Sequence, residues 1–132
     1  MRIKVSNGEL IDKLSILNIK KHKIKDIKQL DNVYREYTYL TKKYNTLLSK
    51  LSPEAQKDFF MYRNKLYVVN QKLWNIEDNI RYLEKNKDFR EQFIQLARSV
   101  YITNDERSKI KKQINLITNS SFVEEKSYKE YE

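Results

Sequence analysis

A chain of 132 residues with 27 Lys and Arg against 18 Asp and Glu carries a formal net charge of +9, and it holds one Gly, one Pro and no Cys. That length suits one domain with a modest core, and so little turn punctuation argues against an all-β fold and for few, long elements. Without cysteine there are no disulfides, thiolate metal sites or cysteine nucleophiles, and no stretch reaches the roughly 18–20 apolar residues of a membrane span.

Residues 2–5 read as a short extended piece leading into "SNGE". Ser6 and Glu9 have capping-box spacing, so a first helix begins there. Leu10, Leu14, Leu17 and Ile24 form its apolar stripe, widened by Ile16 and Ile19, and the helix runs to about Asp26. A second helix starts near Asp31. In it Val33, Tyr37, Leu40, Tyr44, Leu47 and Leu51 alternate by fours and threes, the coiled-coil-like spacing of a buried seam. In "SPEA", Ser52 is placed to cap and Pro53 to occupy the first helical position, where its missing N–H costs nothing.

The third helix carries the longest pattern. From Phe59 to Leu83, through Tyr62, Leu66, Val69, Leu73, Ile76 and Ile80, the three-four alternation holds without a break. At 1.5 Å per residue this stripe spans roughly 36 Å, and its burial contributes on the order of 10–20 kcal/mol before chain entropy is set against it. "KNKD" then breaks the pattern, with Asp88 as the candidate cap of a fourth helix. Phe89, Phe93, Leu96, Val100, Ile110, Ile114 and Ile117 continue the stripe, interrupted from Thr103 to Arg107. Thr103 and Glu106 repeat the capping-box spacing, so this segment is either two helices or one with a polar waist.

Connectors of a few residues make successive helices antiparallel neighbours. The expected fold is therefore all-α: an up-and-down bundle of four or five long antiparallel helices, with a short extended N-terminus and an irregular C-terminal tail from about residue 119. Phe122 and Val123 are the residues placed to pin that tail to the body. One domain spans residues 1–132, and the expected location is the cytoplasm, or a host cytoplasm or virion for a viral chain.

Two polar stripes stand beside the apolar seams. On the third helix Trp74, Glu77, Asp78 and Arg81 fall at i, i+3, i+4 and i+7. On the fourth, Arg98, Tyr101 and Asp105 fall at i, i+3 and i+7, and Asn104 sits on the seam itself. If these two helices pack antiparallel the stripes approach each other, and Asp12 on the first helix is placed to join them. Such a cluster would take Mg²⁺ through oxygen ligands, with Glu9, Asp12, Glu77 and Asp78 as the candidates, or a phosphorylated or sugar ligand through Arg and aromatic contacts. The competing reading is a salt-bridge network that fixes helix register.

His22 has no second His and no Cys, which leaves no zinc set and no Ser–His–Asp set. "KKHKIK" and "RSKIKK" are each interrupted by Ile, as a solvated amphipathic face would be. Much of the Lys excess also follows from a base-composition bias towards codons for Lys, Asn, Ile and Tyr.

"VSNGELIDKLSIL", "LWNIEDNIR", "ARSVYITNDER" and "FVEEKSY" together resemble a family of small uncharacterised proteins of bacteria, with related sequences in large DNA viruses and phages. The resemblance runs nearly end to end. It implies an all-helical fold, no established activity, an occasional setting near glycan-building genes, and weight on Glu9, Asp12, Trp74, Glu77, Asp78, Arg81, Arg98, Tyr101, Asn104 and Asp105. All-helical nucleotide pyrophosphohydrolases are a second comparison: Glu9 and Asp12 supply one ExxD, but the companion ExxE is absent because Glu77 and Asp78 are adjacent.

Three functions follow in order of preference. The first is a small soluble binding or assembly module, with no cofactor, that recognises a ligand or partner, including a second copy of itself, through the polar cluster. The second is a Mg²⁺-dependent enzyme or enzyme accessory acting on a nucleotide or activated sugar. The third is a nucleic-acid-binding protein.

Overall fold

A computed structural model describes residues 1–127 of the chain. It contains four helices: α1 (Asn7–Lys23), α2 (Ile27–Ser49), α3 (Pro53–Lys85) and α4 (Glu91–Ile117). There is no strand among the described residues. The fold is an all-α bundle, and none of its helices is long and apolar enough to cross a membrane among the described residues.

Local chemistry sets most of the helix ends. Ser6 Oγ accepts from the Glu9 backbone N–H at 3.1 Å, and Ser52 Oγ does the same for Ala55, with Pro53 in the first turn. The first helix stops earlier than the spacing suggests. Ile24 is extended (φ −79°, ψ 134°) and Asp26 accepts from the Gln29 N–H at 2.9 Å, so the residue expected to end α1 instead caps α2. No Gly or Pro marks this corner; a capping carboxylate makes it. At the head of α4 Asp88 is not the cap. Arg90 holds that position without a side-chain capping bond to the helix, while Asp88 takes hydrogen bonds from the Arg90 side chain and backbone, which lower its pKa to about 2.

The fourth helix is continuous through Thr103–Arg107. Its end closes with Asn119 at φ 52°, where the Ser120 N–H reaches the Asn115 carbonyl at 2.8 Å. This is a Schellman-type stop at a residue tolerant of the left-handed region. Beyond it the tail is irregular as far as residue 127. Its ties are ionic more than apolar: Glu124 meets Lys111 at 3.3 Å and Glu125 meets Lys112 at 3.4 Å. Phe122 and Val123 remain exposed, with the Lys4 ammonium over the Phe122 ring. The last part of the "EEKSY" motif, Tyr128, lies outside the described residues.

Ile11, Phe59, Leu66 and Ile114, all at 1% exposure or less, form the centre of the core. On α3 the alternating stripe holds at most of its positions: Phe59, Leu66, Val69, Leu73, Ile76 and Leu83 are buried, and Tyr62 and Ile80 are half-buried. On α1 the inward face is rotated from the Leu10–Leu14 stripe. Ile11, Asp12 and Ser15 are buried there beside Leu17 and Ile19, which are buried as expected, while Leu10, Leu14, Ile16 and Ile24 are half-buried. The reason is position: α1 packs on α2, α3 and α4 at once, so an apolar stripe on one side does not describe its surroundings. By contrast α2 buries only Val33; it lies along α1 and stands off α3 over most of its length.

Candidate functional site

The inner side of α1 brings a polar network into the middle of the bundle. Asp12 is 1% exposed, and its carboxylate accepts a two-pronged contact from the Arg107 guanidinium, Nε to Oδ1 at 2.9 Å and Nη2 to Oδ2. Asn70 of α3 donates to Asp12 Oδ1 at 2.9 Å and to Ser15 Oγ at 3.1 Å, so one amide ties α3 to α1 at two points, and Arg107 brings α4 to the same carboxylate. One turn away Lys111 reaches Glu9 at 2.7 Å and lies 3.8 Å from Asp12. The partners of Gly8, Glu9 and Asp12 on α4 are Asn115, Lys111 and Arg107, so these two helices run in opposite directions.

Every buried charge in this network is paired. Two carboxylates of α1, Glu9 and Asp12, face the two cations Arg107 and Lys111, and Glu124 of the tail adds a third carboxylate at Lys111; such pairing is what permits burial at all. The hydrogen bond to Asp12 raises the Arg107 pKa above its ordinary value. At Lys111 burial pushes the ammonium pKa down, but the Glu9 bond and the charges of Asp12, Glu9 and Glu124 outweigh it, and the net direction is up. Both carboxylates of the Glu9–Asp12 spacing thus face cations. Among the described residues no three His, Cys, Asp or Glu side chains converge as metal ligands, and a divalent ion at Asp12 would be repelled by two positive groups.

Thr103 Oγ1 is the one buried side-chain polar atom without a hydrogen-bond partner among the described residues. It shares an α4 face with Arg107, Ile110 and Ile114, so the interruption read as a waist is the part of the seam that meets the polar centre. Thr103→Val keeps the shape and removes an unpaired hydroxyl. It is expected to raise stability by about 1 kcal/mol in chemical denaturation; a loss of that size would show that the hydroxyl has a partner.

The stripes singled out on α3 and α4 lie on the outside. Glu77, Asp78, Arg81, Arg98 and Tyr101 are exposed, and Trp74, Asn104 and Asp105 are half-buried. Glu77 pairs with Arg81 on its own helix at 3.5 Å, and Arg98 bonds Gln95 on its own helix at 3.3 Å. Asn104 accepts a long 3.4 Å contact from Arg107. Asp12 meets Asn70 and Arg107 rather than Glu77, Asp78 or Arg81. The second basic run is partly used internally: Arg107 and Lys111 point to α1, and Lys112 to the tail.

Where α2 stands off α3, a cleft of about 250 Å³ opens with α1 as its floor. From α1 it is lined by Ile11, Leu14, Ser15 and Asn18, from α2 by Tyr37, Thr41 and Tyr44, and from α3 by Arg63, Asn64 and Tyr67. Ser15 belongs both to this wall and to the Asp12 network. Arg63 donates through Nη1 to Tyr44 Oη, and its guanidinium lies 4.9 Å from the centre of the Phe60 ring.

A family model, DUF6165, described as a family of unknown function, matches residues 1–131. The chain belongs to DUF6165. No curated protein and no solved structure matches it. The DUF6165 match spans all four helices and the tail, so both the Asp12 network and the cleft fall inside it. Sequence reasoning missed Asn70, Arg107 and Lys111 as partners of α1. A usable signal existed: an acid beside an apolar face of one helix, and an Arg at the break in the apolar seam of another, call for each other once both faces point inward. The cleft residues Tyr37 and Tyr44 were read as seam, and nothing local distinguishes a tyrosine that fills a core from one that lines a gap.

Proposed function

We propose that this DUF6165 protein is a non-catalytic binding module whose ligand site is the cleft between α2 and α3. The observation that carries this reading is convergence: hydroxyl, amide and guanidinium groups from three helices line one concave space together with Ile11 and Leu14 of its floor. Small-molecule sites have this make-up, a mostly apolar wall with a few placed polar groups. Among the described residues the lining holds no carboxylate and no imidazole, the groups that most often move a proton near neutral pH, which favours recognition over proton transfer. The Asp12–Asn70–Ser15 bonds fix the α1 wall against α3, which favours a pre-formed site.

The test is a thermal-shift screen of a chemically broad library on two proteins, the wild type and Thr41→Trp. Thr41 lies in the α2 wall, and an indole there fills the cleft. A ligand that binds only the folded state stabilises it by about 2.7 kcal/mol at a hundred times its Kd. Compounds that raise the wild-type midpoint are expected to leave the folded Thr41→Trp variant unmoved. Hits that shift both proteins equally place the binding elsewhere and end this reading.

A further inference from the structure

We infer that the cleft takes a small, hydroxylated ligand bearing a single oxyanion, phosphate or carboxylate, with Arg63 as its anchor. This rests on the binding-module reading above. The first support is charge. Among the described residues Arg63 is the only ionic group in the lining, and the Lys21 ammonium lies 3.9 Å from the centre of the ring of Tyr37, a lining residue. Neither cation is within 4 Å of a carboxylate among the described residues, whereas the inward cations Arg107 and Lys111 are both paired. A positive cleft with no counter-ion of its own favours an anionic guest.

The second support is geometry. The Arg63 side chain is held by Tyr44 Oη and by the Phe60 face, yet only one of its five N–H donors is used within the described residues. A guanidinium held in this way presents the planar fork that binds carboxylate or phosphate through two parallel bonds. In the same lining Asn18 and Asn64 carry amides that donate and accept, Ser15 accepts from Asn70 and keeps its hydroxyl proton to donate, and Thr41 donates to the Tyr37 carbonyl and keeps a lone pair to accept, a set that suits hydroxyl groups rather than a second charge. Tyr37, Tyr44 and Tyr67 offer ring faces and edges for the carbon skeleton of a compact ligand.

Size completes the case. A volume of about 250 Å³ lies just below the ~300 Å³ where drug-sized sites begin. That space suits one ring with one oxyanion.

The experiment is calorimetric titration of the full chain with glucose 6-phosphate, glucuronate, glucose and inorganic phosphate. A sugar phosphate or a uronate is expected to bind at least about tenfold more tightly than the neutral sugar, the scale of one charged hydrogen-bond pair. Binding by the first alone assigns a phosphate, and by the second alone a carboxylate. Arg63→Gln is expected to lower the affinity for the anion to that for glucose, and Arg63→Lys to restore part of it, at unchanged melting midpoints. Glucose binding as tightly as the anions, no binding by either anion, or an Arg63→Gln variant that binds the anion normally overturns the inference. These failures differ from failure of the module reading: neutral or cationic library hits lost in Thr41→Trp would keep the site and remove only its anion preference.

Discussion

Asp12→Ala is expected to lower the unfolding free energy by about 3 kcal/mol, the low end of the range for breaking a buried ion pair. The cost comes less from the lost attraction than from what stays behind. Arg107 is only 27% exposed in its side chain, and without Asp12 its fork faces the middle of the bundle with no acceptor of comparable strength. Asn70 loses one of its two acceptors as well. The remaining exposure of Arg107 lets water reach part of the guanidinium, which keeps the loss near the bottom of the range. Urea denaturation is the suitable measurement, because it does not screen charge as a guanidinium salt does. A companion double variant, Asp12→Leu with Arg107→Leu, is expected to lose less than the sum of the two single changes, since no orphaned charge remains. If Asp12→Ala unfolds within 1 kcal/mol of the wild type, the network does not hold the helices together.

How much of this was readable beforehand depended on the range of the interaction. The Ser6 and Ser52 caps and the α3 stripe are local patterns, set within three or four residues, and they stand as read, the stripe at most of its positions. The α1 corner was displaced because its signal is one aspartate that can end one helix or start the next. The Asp12–Arg107 pair joins residues 95 apart in sequence, and nothing in either neighbourhood names the other. The cleft is less legible still. It exists because α2 leans on α1 and away from α3, an outcome of how three helices share one core, and its tyrosines obey the same spacing as core residues. The Trp74–Arg81 and Arg98–Asp105 stripes were visible as periodic polar faces, and periodicity cannot say whether such a face meets another helix or water.

Gly8→Ala is expected to destabilise by about 2–4 kcal/mol, opposite in sign to the usual effect of that change in a helix. Alanine ordinarily gains up to ~1 kcal/mol over glycine there, because glycine loses more backbone freedom on folding. Here a Cβ would stand 2.5 Å from the Lys111 carbonyl oxygen and 2.9 Å from Asn115 Oδ1. The nearer atom is α4 backbone and cannot rotate aside, so the two helices must separate, with overpacking costs of about 1–3 kcal/mol. Separation also breaks the bond from the Gly8 N–H to Asn115 Oδ1, now 2.6 Å, and leaves a buried donor unpaired for another ~1–3 kcal/mol. The same movement would loosen Asn7, whose N–H and side chain bond Ser120 and Thr118 just beyond α4. Through these contacts the end of α4 satisfies the first N–H groups of α1, a cap supplied from across the bundle. Denaturation of Gly8→Ala, Asn115→Ala and the double variant separates the causes. If the carbonyl clash dominates, removing the Asn115 side chain gives no rescue, and the double variant is at least as unstable as Gly8→Ala. Rescue by Asn115→Ala would instead assign the cost to the side chain and leave the backbone approach with room to spare.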